Sequence, residues 1–382
     1  MRFKGRVAII GAGIGGLALA GFLARRGVAL TVFEQASEFR RLGAGIQMSP
    51  NAVRVLRALG LEGDLRALAF YPRSWSNRVA DTGAPLFDLT FGADAEARYG
   101  APYLLMHRGD LHQALLGAVP PGVMAFGKTL VGIERRAGSV RLPFADGSDA
   151  SADAVIGADG VHSVVRACLL GPEKPRFTGR VAHRTVFPSA LMTGYLVETC
   201  TKWWGPDRHI VIYPVNPRRD ETYFVTSVPE PGWDVESWSA VGDMAEVRRA
   251  FAGFHDDVQR VLAHCPHVHK WALFERDPLP RWSEGAVALL GDACHPMTPY
   301  MAQGAATALE DAAMISRALE ESDDAAEAFA RYAATRIERT SRIQLTSRQN
   351  TWGKHAVDPG WVYGYDVWET PLSLLRPSHS VH

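Results

Sequence analysis

Residues 7–34 read VAIIGAGIGGLALAGFLARRGVALTVFE, and this stretch decides the fold. Its first four residues are apolar and predict a short buried strand that stops at the glycines of a G-x-G-x-x-G pattern. A helix with apolar periodicity follows to about Arg26, and a second strand, from Val28 to Phe33, ends at Glu34. This order of strand, turn, helix and strand predicts a unit that binds a dinucleotide with its pyrophosphate at the helix N-terminus.

The three glycines of the pattern have separate tasks in such a unit. Gly11 permits a tight turn, Gly13 lets a pyrophosphate approach the backbone, and Gly16 allows the helix and the strand to pack closely. Glu34 stands near the ~20-residue offset of the acid that bonds a ribose hydroxyl, and its charge disfavours a 2′-phosphate. We therefore predict these four residues as dinucleotide contacts. The alternative is a glycine-rich turn of the core.

The composition is that of a folded protein of two to three domains, at roughly 100 to 200 residues per domain. The 382 residues include 41 Lys and Arg and 41 Asp and Glu, so the formal net charge is zero. No global field would then hold nucleic acid or an anionic membrane, and we expect neither as a partner. The uncharged run from Val7 to Ala24 has the length of a signal peptide or a short span, but its five glycines favour strand, turn and helix.

The cysteine and histidine patterns predict no metal site. The four cysteines have no zinc-binding or disulfide spacing, which favours a reducing cytoplasm as the location. Residues 264–269, HCPHVH, are broken by proline and match no zinc pattern. Cys294 and His295 are adjacent, and adjacent side chains point apart on a strand, so we expect no pair of nucleophile and base there. His112 and His183 are expected to be surface groups.

Three later segments carry polar residues where ligands of open α/β sheets bind. They are MHRGDL at 106–111, VIGADGVHSVVR at 155–166 and VALLGDACHP at 287–296. The first opens an amphipathic helix. In the other two, an apolar strand precedes Asp159 or Asp292, so we place both carboxylates at the carboxyl edge of the sheet. A helix from Ala305 to Leu319 follows, and its N-terminal amides would cradle an anion or a carbonyl oxygen.

With the glycine pattern and Glu34, these segments make residues 1 to about 345 resemble the single-component flavoprotein aromatic hydroxylases, the class of the para-hydroxybenzoate and salicylate hydroxylases. The resemblance implies bound FAD, NADH as co-substrate with NADPH as the alternative, and O2. It implies the following cofactor contacts: Glu34 on the FAD ribose, Arg108 on the phosphates or the ribityl chain, Asp159 on the cofactor and reductant side, Asp292 on the ribityl hydroxyls, and the Gly304 and Ala305 amides on the flavin pyrimidine oxygen.

Two other classes stay open at this point. A NAD-dependent dehydrogenase shares the first unit but leaves Arg108, Asp159 and Asp292 unexplained. A flavin-binding regulator or assembly protein without turnover would share all the cofactor contacts. Cofactor release separates the first of these from the hydroxylase, and oxygen uptake separates the second.

The predicted fold class is α/β, with a Rossmann-like FAD-binding domain built on a parallel sheet and interleaved with a mixed-sheet substrate domain. The chain is expected to pass through both domains more than once. The FAD-binding domain takes residues 1–70, 101–175 and 271–320, the substrate domain takes 71–100 and 176–270, and a C-terminal helix with an aromatic tail takes 321–382.

Alternating strands predict the substrate sheet. A period of two places His209, Val211 and Tyr213 on one face, and Ile210 and Ile212 on the other, which seeks the core.

The register of this sheet depends on its first turn. If residues 204–207 form the turn, Trp203 pairs with Arg208 or with His209. The first pairing sets Cys200 opposite Val211, on the face of His209, and the second does not.

The chemistry of the resembled family restricts the substrate. The oxygen that these enzymes transfer is electrophilic, so the ring must be electron-rich, such as a phenol or a hydroxypyridine that a base helps to ionise. Residues 202–209, 223–226 and 358–366 resemble those of family members that replace a carboxylate of an N-heteroaromatic acid by hydroxyl. That resemblance implies the following substrate contacts: His209 and Tyr213 as catalytic residues, and Cys200 and Tyr223 as pocket lining.

Gln47 and Tyr300 depart from that pattern, because both stand where histidines are expected. We predict both as substrate contacts, and both match the broader salicylate hydroxylase group, so a hydroxybenzoate substrate stays open. Gln is not a base and Tyr, at a pKa of ~10, is a weak one, so acid–base work falls to His209 with Tyr213 as donor. The expected partners are thus an aromatic acid, NAD(P)H and O2, in a monomer or a homodimer.

Overall fold

The computed structural model describes residues 1–39, 41, 44–235 and 240–374. Its strands are β1 Val7–Ile10, β2 Leu30–Phe33, β3 Gly45–Met48, β4 Ser74–Val79, β5 Pro85–Thr90, β6 Leu104–His107, β7 Met124–Ala125, β8 Glu134–Arg136, β9 Ser139–Pro143, β10 Asp149–Ala152, β11 Ala154–Gly157, β12 Arg176–Pro188, β13 Cys200–Trp204, β14 His209–Pro214, β15 Glu221–Pro229, β16 Val241–Gly242, β17 Val268–Glu275, β18 Ser283–Glu284 and β19 Val287–Leu289. Its helices are α1 Ile14–Arg25, α2 Pro50–Ala58, α3 Glu62–Leu68, α4 Ala93–Tyr99, α5 Arg108–Gly117, α6 Val164–Leu170, α7 Met244–Ala250, α8 Asp256–His264, α9 Gly304–Glu321, α10 Ala325–Arg348 and α11 Gly360–Tyr363.

The glycine stretch folds as the sequence predicts. β1 is the centre of a sheet with the order β18-β19-β11-β1-β2-β7, and it runs parallel to β2 and β11. Gly11 has a φ of 101°, and a Cβ there would collide with the carbonyl oxygen of Ala158. A Cβ on Gly16 would collide with the carbonyl oxygen of Gly11. Only glycine therefore allows this turn and this close packing of the helix.

The second large sheet has eight strands in the order β16-β17-β12-β15-β14-β13-β4-β5. Its strands are antiparallel except for the parallel pair β13 and β4. Ile210 and Ile212 are buried on one face, in a cluster with residues of α7 and α8 such as Val247 and Val258. That face is the core of this half, which leaves the opposite face for the site.

The register of β13 and β14 differs from both predicted pairings. Trp204 pairs with His209, so the turn takes residues 205–208. Thr201 pairs with Ile212, and this register places Cys200 opposite Tyr213. The pairing of Trp203 with Arg208 was wrong by two positions, but a shift of two keeps each side chain on its face. Cys200 therefore lies on the predicted face, opposite a different residue.

The C-terminal helices enclose a buried ionic cluster. Asp311 and Glu310 of α9 lie 2.8 and 2.7 Å from the Arg336 guanidinium of α10, and all three side chains are essentially inaccessible to solvent.

Trp352 and Tyr363 of the predicted aromatic tail are buried with Tyr103. The tail thus packs on the chain itself as far as it is described, whereas residues 375–382 lie outside the described part. None of the described helices is long and apolar enough to cross a membrane.

Candidate active site

The first turn and Glu34 form one end of a cleft. Gly13 is the N-cap of α1, and a Cβ there would meet no protein atom within 4 Å. The Glu34 carboxylate accepts hydrogen bonds from the backbone amides of Ala12, at 2.9 Å, and Ala36, at 2.8 Å. The acid is therefore fixed beside the turn, and the backbone at Gly13 is open to a ligand.

Arg108 and Asp292 come from distant segments of the chain, and the charge of each shifts the pKa of the other. Arg108 begins α5, whose N-cap His107 accepts a hydrogen bond from Gly109 at 3.0 Å. Asp292 lies on a 3-10 turn after β19. Its side chain is exposed; desolvation by the surrounding protein raises the pKa of its carboxyl, and the charges of His295 and Arg108 lower it. Enclosure lowers the pKa of Arg108, and Asp292 opposes that change.

Asp159 lies beside the glycine turn at Gly11, and its carboxylate is hydrogen-bonded to other residues of the protein. Its Oδ1 accepts from Ser163 at 2.5 Å and its Oδ2 from the amide of Val165 at 3.2 Å. Burial raises the pKa of this carboxyl, and the hydrogen bonds lower it. The observed task of Asp159 is therefore to hold the start of α6 beside the glycine turn.

Gly304 and Ala305 are the first two residues of α9, so their amides belong to its unbonded N-terminal turn. The preceding Gln303 is buried and fixed, since it donates to Ser49 at 2.9 Å and accepts from Asn51 at 3.1 Å. An open glycine turn, the interacting charges of Arg108 and Asp292, and a helix N-terminus at Gly304 together fit FAD, whose phosphates and flavin oxygens need cations and amide donors.

The predicted substrate residues meet on one face of the eight-stranded sheet. Cys200, His209, Tyr213 and Tyr223 are all buried there, and the rings of Tyr213 and Tyr223 are 5.0 Å apart. A Cβ on Gly45 would lie 2.8 Å from the Tyr213 hydroxyl. The backbone of β3 therefore closes this part of the face.

Gln47 connects the face to a residue that the sequence did not indicate. Its Oε1 accepts from the Tyr103 hydroxyl at 2.6 Å, and its Nε2 lies 3.9 Å from the Cys200 sulfur. Tyr103 is buried and stacks on Phe91 at 4.2 Å. It reaches Gln47 through the pairing of β3 with β6, a contact between distant segments that no local pattern announces.

Tyr300 closes the other end of the same face. Its hydroxyl lies 2.9 Å from the Ser227 hydroxyl, which accepts from Arg180 at 2.8 Å. Its ring meets the His209 ring edge to face at 5.4 Å. Trp204, His209 and Tyr300 also line a cavity of about 620 Å³ that opens at this end.

Burial determines the protonation of the two predicted catalytic residues. It lowers the pKa of His209 well below its usual value, and the charges of Lys202 and Arg180 add to that effect. Burial also raises the pKa of Tyr213 well above its usual value. At neutral pH the imidazole is therefore neutral, and the phenol keeps its proton.

The expectation that His112 and His183 are surface groups was wrong. His183 is buried, with its Nδ1 3.2 Å from the Thr226 hydroxyl. His112 is half-buried, with its Nε2 2.8 Å from the carbonyl oxygen of Ala12, so it braces the glycine turn. Cys294 and His295 follow a 3-10 turn rather than lying on a strand, and the Cys294 sulfur, a His295 ring nitrogen and an Asp311 oxygen lie within 4.8 Å of one another.

Comparison with known proteins gives full-length matches. Residues 4–343 match the family described as FAD binding domain. The 6-hydroxynicotinate 3-monooxygenase of Bordetella bronchiseptica is 49% identical over 97% of this chain and 98% of its own length. The enzyme of the same name from Pseudomonas fluorescens is 46% identical over 96% of each chain. A salicylate hydroxylase in a substrate complex has a TM-score of 0.84 at 28% identity, covering 98% of this chain and all of that one.

Proposed function

The chain belongs to the FAD binding domain family and is a FAD-dependent aromatic monooxygenase, and from this premise we propose that it hydroxylates a hydroxylated N-heteroaromatic carboxylate with loss of CO2. The first candidate is 6-hydroxynicotinate, for which both full-length relatives are named. The observation that carries this proposal is the single buried face on which His209, Tyr213 and Cys200 meet.

When bound, FAD supplies the redox chemistry that links a nicotinamide to O2. We propose that the following residues hold it: Gly11, Gly13, Gly16 and Glu34 at the ADP half, Arg108 and Asp292 in the middle, and Gly304 and Ala305 at the flavin. Asp159 is proposed to lie on the cofactor and reductant side, where its carboxylate fixes the start of α6. The open backbone at Gly13 and the enclosed cation of Arg108 support this assignment.

NADH is the proposed reductant. The sequence has one G-x-G-x-x-G pattern, which FAD takes, so the nicotinamide has to meet the flavin without a second dinucleotide unit of this kind. Glu34 follows β2 and is proposed to bind the adenosine ribose of FAD, so it does not distinguish NADH from NADPH. All four cysteines are free thiols, which agrees with the reducing cytoplasm that we propose as the location.

His209 is the proposed base. Its imidazole is neutral at neutral pH, which leaves one ring nitrogen free to accept the proton of the ring hydroxyl. Burial disfavours the imidazolium, so the proton transfer depends on the substrate anion that forms beside it. Tyr213 keeps its proton and donates a hydrogen bond to the substrate. The pocket lining is proposed to consist of Cys200, Tyr223, Gln47 and Tyr300.

A salicylate-type hydroxybenzoate is the second candidate, and Gln47 and Tyr300 favour it. The Gln47 amide is engaged with Tyr103 and faces Cys200, and an amide does not exchange protons with a ring nitrogen near neutral pH. The Tyr300 hydroxyl is likewise engaged, with the hydroxyl of Ser227. A substrate without a ring nitrogen would not need either residue to exchange a proton with that nitrogen.

The deciding experiment titrates the FAD-loaded protein with 6-hydroxynicotinate and with salicylate. We expect 6-hydroxynicotinate to perturb the flavin spectrum, to stimulate NADH oxidation and to yield CO2 and a dihydroxylated pyridine by chromatography and mass spectrometry. If salicylate or another hydroxybenzoate does this while 6-hydroxynicotinate does not, the second candidate is correct. NAD bound tightly in place of flavin would contradict the whole assignment.

A further inference from the structure

Lys202 lies in the middle of the substrate face and has no role in the function proposed above. It alternates with Cys200 and Trp204 along β13, so all three share the face. Its partner in β14 is Val211, which lies between His209 and Tyr213. Every predicted catalytic side chain is therefore a near neighbour of this lysine.

The amine of Lys202 is buried without a counter-ion. The residue is 1% exposed, and its Nζ lies 3.8 Å from the centre of the Trp204 ring and 5.8 Å from that of Tyr300. No carboxylate of the described residues forms an ion pair with it. Buried lysines are normally paired, because an isolated charge away from water is costly.

Another lysine of the same sheet shows the ordinary solution. Lys270 of β17 is 6% exposed and also lies beside an indole, that of Trp233, at 4.7 Å. Its Nζ, however, is 2.6 Å from a carboxylate oxygen of Glu230. Lys202 is also buried and also lies beside an indole, but no described carboxylate pairs with it as Glu230 pairs with Lys270.

The groups around Lys202 do not supply a negative charge at neutral pH. Burial raises the pKa of Cys200, on the same strand, and of Tyr300, on the 3-10 turn above it. His209 of β14 is neutral at neutral pH, and the charge of Arg180 of β12 helps to depress its pKa. Burial lowers the pKa of Lys202 itself well below its usual value. Among the described residues, these groups leave the positive charge of a protonated Lys202 without compensation.

We propose that Lys202 binds the carboxylate of the aromatic substrate and so makes the site specific for aromatic acids. The substrate then supplies the counter-ion that the protein omits, and the rings of Trp204 and Tyr300 flank the bound pair. The inference rests on the proposed function in that it takes the substrate to be a carboxylate, but it does not depend on which aromatic acid that is.

The test compares ligands with and without the carboxylate. Two matched pairs serve: 6-hydroxynicotinate with 2-hydroxypyridine, and salicylate with phenol. Kd values come from the flavin absorbance change in the FAD-loaded wild type, Lys202→Met, Lys202→Arg and the control Lys270→Met. We expect Lys202→Met to weaken the carboxylate ligand roughly 10- to 100-fold, the range of a hydrogen bond to a charged group, and to spare the ligand without it. Lys202→Arg should retain part of the preference, and Lys270→Met all of it.

Proton uptake gives a second measurement on the unaltered enzyme. Because burial disfavours the charged amine in the free enzyme, we expect the wild type to take up more protons with the carboxylate ligand than with its partner, measured by calorimetry in buffers of different ionisation heat. The shared ring hydroxyl cancels the contribution of His209. This comparison holds even where Lys202→Met does not fold.

Equal loss of affinity for both members of a pair, or an unchanged preference in Lys202→Met, overturns the proposal, as does equal proton uptake by both ligands if the variant cannot be prepared. If only the salicylate pair binds, the proposed substrate is wrong while Lys202 is judged on that pair. If the wild type prefers the ligand without a carboxylate, both proposals fail.

Discussion

Single buried residues set the acid–base chemistry of this site. Enclosure in the sheet face lowers the pKa of His209 and raises that of Tyr213, so both side chains are neutral at neutral pH, with His209 as the proposed base and Tyr213 as the proposed hydrogen-bond donor. His209→Ala should lower the rate of hydroxylation by roughly 10²- to 10⁴-fold, the usual contribution of a positioned base. Flavin reduction by NADH should change little, since that step does not ionise the substrate ring.

The measurement follows product formed per NADH oxidised and, without oxygen, the rate of flavin bleaching. Tyr213→Phe is the matched variant, and it should mainly weaken substrate binding, by about 0.5 to 1.5 kcal/mol for one hydrogen bond. Equal loss of both steps in His209→Ala would show that His209 shapes the site rather than moving a proton.

Asp292 tests the cofactor assignment at the same scale. Its carboxylate opens to the cleft beside Arg108, where ribityl hydroxyls are proposed to donate to it. The purified protein should be yellow and release FAD on denaturation. Asp292→Ala should weaken FAD binding by roughly 1.5 to 3 kcal/mol, measured by dialysis and fluorescence of the released flavin. Unchanged flavin content and affinity would place Asp292 outside the FAD site.

His183 shows the effect of burial away from the chemistry. Burial, with a smaller contribution from Lys270, lowers its pKa to about 4, whereas a histidine in the unfolded chain has a pKa of about 6.5. Its contribution to stability is therefore present above pH 6.5 and is lost as the pH falls from there towards 4, by on the order of 2 kcal/mol at pH 4.5. His183→Gln should reduce the difference in Tm between pH 7.5 and pH 4.5. A variant as acid-sensitive as the wild type would contradict this.

At the scale of elements, the strength of each local pattern decides what the sequence could predict. β1, α1 and β2 were predicted correctly because the glycine turn has few alternatives. The face of β14 was also correct, since a period of two fixes it, but the register with β13 was wrong because the four-residue turn can begin at Trp204 or Gly205. Side-chain period therefore predicted which residues share the face, and not which of them are opposite.

The glycine turn separates folding from cofactor binding. A Cβ on Gly16 would collide with backbone, so Gly16→Ala should lower the Tm and the FAD content together. A Cβ on Gly13 would meet no protein atom within 4 Å, so Gly13→Ala should keep the Tm of the flavin-free protein and weaken FAD binding alone. Thermal unfolding by circular dichroism and the flavin-to-protein ratio measure both. The same loss of Tm in the two variants would contradict the assignment of Gly13 to the pyrophosphate.

At the scale of the whole molecule, the site depends on contacts that no local pattern contains. Gln47 meets Tyr103, 56 positions away, and Cys200, 153 positions away. Tyr300 reaches the sheet through Ser227, which is paired with His209. Sequence motifs indicated most of these residues only through resemblance to a family, and they missed Tyr103 and Lys202, because those two gain a role only when distant strands come together.

The burial of the whole substrate face suggests a link between substrate binding and flavin reduction. Gln47, Cys200, His209, Tyr213 and Tyr300 are each at most 8% exposed, so a substrate bound against them is enclosed by protein, and we expect NADH to reach the flavin from another side. A bound aromatic acid that favours the reducible arrangement would then control electron transfer. We expect anaerobic flavin reduction by NADH to be slow in the free enzyme and to accelerate about tenfold or more with a bound aromatic acid, a shift of about 1.4 kcal/mol in population. Stopped-flow absorbance of the flavin measures it, with benzene sulfonate as a ring that carries a charge but no hydroxyl. Rapid flavin reduction that no ligand alters would show that NADH oxidation is independent of the bound aromatic acid, and it would contradict the proposed coupling of substrate binding to flavin reduction.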